Sequence, residues 1–166
     1  MPGCNLVSLK WLAAFAAALT LAGCTSLSPY STLTKLNLTL TASDQLNPDL
    51  NGRPSPIVVR LIELKHPVAF ENADFFSLYE RAKHNLAPDL VASEELELRP
   101  GERVELKLSV DGGSRYVGVL AAYRDLSDAQ WRQVIALTPG RVTDAWLTLD
   151  RAAITHQHAR LTERDD

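Results

Sequence analysis

Beyond residue 24 the chain has no cysteine; its only two, Cys4 and Cys24, stand within the first 24 of 166 residues. The remainder therefore has no thiol for a disulfide, a thiolate metal site or a nucleophile, and its stability must come from packing. Positive charge is scarce as well. The 17 Lys and Arg against 20 Asp and Glu leave a net charge of −3, which excludes binding nucleic acid or an anionic membrane through broad electrostatics. No Gly-rich phosphate loop and no Gly-x-Ser-x-Gly elbow occurs, so Ser, His and Asp lack any organising catalytic context. Long apolar runs are missing too. The longest, Trp11 to Ala22, holds twelve residues with one hydroxyl, and as a helix it spans about 18 Å against roughly 30 Å of hydrocarbon, too short for a stable transmembrane span. What is present, 46% hydrophobic and 22% charged residues, is ordinary globular composition at a length that fits one domain.

The short apolar run has another use. The α-amine and Lys10 precede it, as the positive region of a secretory leader does. It ends in Leu21-Ala22-Gly23-Cys24, which resembles the bacterial lipobox, where the cysteine sulfur is diacylated and the cysteine becomes the first residue after cleavage. Residues 1–23 are expected to be a cleaved lipoprotein signal peptide that takes Cys4 with it. Covalent acyl chains on Cys24 are the only attached group expected, with no cofactor or metal. Each buried methylene contributes about 0.8 kcal/mol, so two or three chains anchor the protein permanently where a single one would not. Thr25 follows the cysteine, where the lipobox class places Asp for inner-membrane retention, and this points to the outer membrane. Losing Lys10 leaves 16 basic residues against 20 acidic ones, a net charge of −4. Residues 24–34 are Ser/Thr-rich with Pro29 and read as a flexible spacer.

Residues 35–158 read mostly as strand. Leu36, Leu38, Leu40 and Ala42 alternate with polar residues, the period-two pattern of a strand with one wet face. Ile57 to Leu64 is β-branched and nearly continuous, as expected of a strand covered on both faces. Leu96 and Leu98 alternate up to Arg99-Pro100-Gly101-Glu102, a type II turn signal, and Val104, Leu106, Leu108 and Val110 alternate away from it, so this stretch is expected to be a hairpin. Glu94, Glu95 and Glu97 read as its wet face and entry. Tyr116 to Tyr123 suits a central strand, Val134 to Leu137 and Ala145 to Leu149 two more, and Ile154 a short closing one. Seven or eight such strands, separated by turn signals, predict an all-β fold, an antiparallel β-sandwich. A helix is expected where Phe75, Leu78, Tyr79 and Ala82 fall at i, i+3, i+4 and i+7, with Asn72 as N-cap and its aromatic stripe covering sheet or core. A second short helical turn with an N-cap signal is expected at Ser127 to Trp131, linking two strands. Residues 159–166 form a charged tail.

Two features are candidates for function. His156 and His158 are spaced so that a strand would point both imidazoles to one side, the geometry of two metal ligands, but no third ligand at motif spacing is visible. The stretch from Ser43 to Pro56, about fourteen residues between two strands, is far longer than a hairpin needs. Three prolines restrict it and Asn51-Gly52 supplies positive φ, so it can hold a defined shape, either for binding or merely as an ordered connection.

Several blocks in order carry a family likeness: the lipobox, Asn47 to Arg60, Ala73 to Tyr79, Leu98-Arg99-Pro100-Gly101-Glu102, and Tyr116 to Asp125. From Cys24 to about His156 the chain resembles the type VI secretion lipoprotein family TssJ, also called SciN or VasD. The resemblance implies a transthyretin-like β-sandwich with added helices. It also implies a periplasm-facing outer-membrane lipoprotein that binds the periplasmic C-terminal domain of the inner-membrane protein TssM, in a complex with TssL, without catalysis. The family's partner surface includes the loop after the first strand. That makes Leu46, Asn47, Asp49, Leu50, Asn51, Gly52, Arg53, Pro54 and Ser55 candidate partner contacts, with Asp49 and Arg53 for charge-assisted hydrogen bonds and Leu46 and Leu50 as apolar anchors. On the other view, Arg53 and the prolines only shape the loop. A competing reading is an envelope lipoprotein domain that binds a small molecule or glycan, which calls for a deep pocket lined by Trp131, Trp146 and tyrosines.

Overall fold

The computed structural model describes residues 33–157. Cys24, the leader, nearly all of the spacer, His158 and the charged tail lie outside the described residues. Eight strands form: β1 (Thr34–Ala42), β2 (Ile57–Leu64), β3 (Leu90–Leu98), β4 (Arg103–Val110), β5 (Tyr116–Ala121), β6 (Arg132–Ala136), β7 (Val142–Leu149) and β8 (Ile154–His156). They build two four-stranded sheets, ordered β4-β1-β7-β8 and β3-β2-β5-β6. Neighbours are antiparallel except β1 and β7, which run parallel in the register Lys35 to Val142 through Ala42 to Leu149. The expected all-β sandwich is therefore present with one parallel pair in it. Thr34, read as the last spacer residue, is the buried first residue of β1, and its hydroxyl accepts from the Gly140 amide at 3.0 Å.

Period-two alternation builds the core between the sheets. Leu36, Leu38 and Leu40 of β1 and Ala145, Leu147 and Leu149 of β7 meet Ile57, Val59 and Leu61 of β2 and Val117, Val119 and Ala121 of β5, all buried. β2 and β5 are apolar on their outer face as well. Ile62, Leu64 and Leu120 are fully buried there under two helices, α1 (Val68–Asn72) and α2 (Phe75–Asn85), which contribute Phe70, Phe75 and Leu78, with Leu86 added from the C-cap of α2. The molecule thus has three layers.

Three local expectations need correction. The turn at Arg99 to Glu102 forms as read: the Glu102 amide donates to the Arg99 carbonyl at 3.0 Å and Gly101 takes φ +75°. It does not close a hairpin, however, because β3 pairs with β2 and β4 pairs with β1, so the turn carries the chain from one sheet to the other. Asn72 does not cap α2. It ends α1, with its side-chain Nδ2 donating to the Val68 carbonyl at 2.8 Å, and Asp74 caps α2 by accepting from the Ser77 backbone amide at 3.0 Å. Ser127 to Trp131 links β5 and β6 without forming a helix. Gln130 instead bridges to Ala153, and Gln133 Nε2 donates to the Ile154 carbonyl at 3.1 Å, closing that side of the sandwich.

The helix layer seats at one close approach. A Cβ at Gly118 in β5 would lie 2.8 Å from Phe70 Cζ, nearer than carbon atoms tolerate, so the ring lies directly on bare backbone. Arg132 fixes the far side by donating to the carbonyls of Phe70 and Ala73. Gly118→Val should displace Phe70 at a cost of about 1–3 kcal/mol. For a domain of this size that is a fall of several degrees in melting temperature, and an unchanged circular-dichroism melt would show that Phe70 has room to move.

Candidate partner interface

The loop from Ser43 to Pro56 is organised by short-range polar contacts. Asp49 Oδ1 accepts from the amides of Asn51 (2.8 Å) and Arg53 (2.9 Å), and Oδ2 accepts from Arg53 Nε at 3.0 Å. The Asp49 amide donates to the Arg53 carbonyl and the Gly52 amide to the Asp49 carbonyl, both at 2.8 Å, while Gly52 takes φ +77°. Hydrogen bonds to the ionised form, led by the Arg53 amide, hold the Asp49 carboxyl below its ordinary value. Arg53 keeps its side chain 76% exposed despite the ion pair.

The base of the loop is pinned differently. Leu46 is fully buried in the core between the sheets. Expected to grip a partner, it anchors the loop to its own domain instead, because the chain turns inward as it leaves β1. Asn47 is also buried and takes φ +46°, a left-handed conformation that Asn tolerates better than most residues. Its Nδ2 donates to the Pro56 carbonyl at 2.9 Å and its Oδ1 accepts from the Arg124 amide at 2.9 Å. Ser55, also buried, donates its amide to the Leu46 carbonyl at 3.0 Å and its hydroxyl to the Arg53 carbonyl at 3.3 Å. What remains outward is the tip, Leu50 to Pro54, with Leu50 fully exposed at its crest.

Three residues that the sequence does not assign to this loop join it, although Arg124 and Asp125 end one of the family-like blocks. Arg124 and Asp125 from the β5–β6 connection and Arg151 from the β7–β8 connection border a groove of about 600 Å³ with Asn47, Pro48, Asp49 and Leu50. Arg151 is positioned by donating to Gln45 Oε1 at 2.8 Å. An exposed apolar crest beside a groove edged by guanidinium groups suits a protein surface carrying an apolar pocket and carboxylates. The charges sit at the rim, where they steer and orient more than they bind.

Other candidates do not converge. Trp131 packs edge to face on Phe75 at 5.3 Å, whereas Trp146 stands on the outer face of the other sheet, so the two line no common pocket. Phe75 and Tyr79 stack over the sheet as expected, and Phe76 is exposed. His156 ends β8, and His158 lies outside the described residues. Among the described residues no group of three His, Cys, Asp or Glu stands close enough to hold a metal, and no helix is long and apolar enough to cross a membrane.

Comparison with known proteins agrees with this architecture. The family model described as type VI secretion lipoprotein, VasD, EvfM, TssJ matches residues 34–158. The T6SS lipoprotein TssJ1 from Pseudomonas aeruginosa is similar at 39% identity, over 76% of this chain and 98% of that one, with a TM-score of 0.72. Serratia marcescens Lip, a membrane-bound component of the type VI secretion system, is similar at 25% identity over 76% and 98%, with a TM-score of 0.68. A chain in a structure of the T6SS protein TssM C-terminal domain from EAEC is 26% identical over 74% and 99%, with a TM-score of 0.65. No curated protein matches. By the extent of the family match and the shared fold, the chain belongs to the type VI secretion lipoprotein family that includes TssJ and VasD.

Proposed function

We propose that this protein is a mechanical tether of the type VI secretion membrane complex. Acyl chains on Cys24 hold it in the outer membrane, and the loop from Leu46 to Ser55 grips the periplasmic C-terminal domain of TssM, with TssL completing the complex. The role requires no catalysis and no bound cofactor. The observation that carries the reading is the loop itself: it is long, internally locked and pinned at its base, yet presents Leu50 and Arg53 outward. A locked loop loses little conformational entropy on binding, so more of its contact energy appears as affinity. A chain similar to this one in a structure of the TssM C-terminal domain supports the choice of partner.

Within the loop the roles divide. Leu50 is the apolar contact and Arg53 the charged one, while Leu46, Asn47, Asp49, Gly52 and Ser55 hold the shape. Titration with the TssM domain should therefore show at least about fivefold weaker binding for Leu50→Asp with an unchanged melting temperature. Asp49→Ala should weaken binding by loosening the tip; full affinity in both variants moves the contact elsewhere. Because the folded Asp49 carboxyl titrates below its unfolded value of about 3.9, its lock is fully present above that pH and is lost as pH falls through the lowered folded value. Affinity should accordingly show no Asp49-dependent change from neutral pH down to about 4 and fall only below it. Cys24→Ser should give a periplasmic domain that binds TssM but supports no secretion, and normal secretion by that variant would overturn the tether.

A further inference from the structure

Strand polarity gives the domain two distinct ends. β1 starts at Thr34, and the register places this start beside the end of β4 and the beginning of β7. The turns at residues 111–115 and 137–141 join β4 to β5 and β6 to β7 at the same end, where β2 also finishes and leads into α1. The loop from Leu46 to Ser55, with the β5–β6 and β7–β8 connections, lies at the other end. The start of β1 therefore lies at the end opposite the candidate partner loop.

The entry end has its own surface chemistry. Leu33 and Val142 are 53% and 52% exposed and are neighbours, since the Lys35 amide donates to the Arg141 carbonyl at 3.0 Å and Lys35 pairs with Val142. Val68, 63% exposed, stands where β2 passes into α1. These are three of the five large hydrophobic side chains exposed among the described residues. Lys35, Lys65, Arg115 and Arg141 are exposed at this end, and among the described residues none of them forms an ion pair, though one guanidinium nitrogen of Arg115 donates to the carbonyls of Gly112 and Ser114. The neighbouring carboxylates keep their charge but accept hydrogen bonds within the fold, so the cations outnumber them by only one at this end. Glu63 accepts from the Asp111 amide and the Ser114 hydroxyl, Asp89 bonds His66 Nδ1 at 2.8 Å, and Asp111 accepts from the Gly113 amide.

We propose that this end of the domain rests on the phospholipid surface of the leaflet holding the acyl chains, with Leu33 and Val142 at the acyl boundary and the four cations on headgroup phosphates. The inference rests on the proposed acylation of Cys24. Ten residues from Cys24 to Leu33 reach at most about 33 Å, so the anchor confines this end to the neighbourhood of the membrane and raises its effective concentration there. The net charge of −4 from Cys24 onward excludes recruitment by charge. Recruitment is the work of the anchor, and the unpaired cations set orientation over the last Debye length.

The test is hydrogen exchange on the acylated full chain in vesicles of phosphatidylethanolamine and phosphatidylglycerol, with the Cys24→Ser chain beside the same vesicles as reference. Exchange at residues 65–68, 111–115 and 138–142 should slow by about tenfold or more in the acylated protein, while residues 49–53 keep their rate. Reversing the four cations together, as K35E, K65E, R115E and R141E, should abolish that protection while the protein still sediments with the vesicles. Sedimentation with unchanged exchange overturns the membrane-resting face alone, and protection that survives the charge reversal overturns the headgroup contact. Failure of the parent chain to sediment overturns the anchor, and this inference falls with it.

Discussion

Strands β2 and β5 have to bury both of their faces, and most of the architecture follows from that constraint. β2 sends Ile57, Val59 and Leu61 one way and Ile62 and Leu64 the other, and β5 does the same with Val119 and Leu120. One face is met by the second sheet. The other would be a large exposed apolar patch in a chain without α1 and α2. Their insertion between β2 and β3 removes it, at the cost of a position where only glycine fits beneath Phe70. With both layers filled by side chains, the groove beside the partner loop lies at one end of the domain rather than between its layers.

The far end shows how an irregular segment acquires a fixed shape without regular structure. Its backbone groups are satisfied by Asp49, Asn47 and Ser55 rather than by a ladder. Side chains used this way are unavailable to a partner, so the polar residues that look most suited to recognition in the sequence are largely committed inward. At the crest the apolar Leu50 faces solvent, with Arg53 exposed beside it in the tip. Polarity within a long loop therefore says less about contact than the hydrogen-bond inventory does.

The sequence disclosed each feature to the extent that its cause was local. Alternation marked β1, β2, β5 and β7, and loop length together with Pro and Gly content marked residues 43–56. The turn chemistry of Pro100 and Gly101 was equally readable. Which sheet each flanking strand joins was not, because a type II turn sets the reversal of the chain but not the hydrogen-bond partner on either side. Asn72 and Asp74 both have N-cap chemistry and lie two residues apart; only the break between two helices separates their roles. The arrival of Arg124 at Asn47 and of Arg151 at Gln45 depends on contacts across 77 or more positions, which no local pattern encodes.

The position of β1 has a consequence for how the domain would carry tension. It is an interior strand, bonded to β4 on one side and to β7 on the other, and the chain passes from Thr34 through it directly into Leu46 and Asn47. A pull between Cys24 and the tip of the loop would run along one covalent backbone for its whole length. The hydrogen bonds on either flank would lie across the line of force and serve as lateral bracing. A marginally stable fold could then transmit a load far above its own unfolding threshold, since the weakest links in the path would be the partner contact and the lipid.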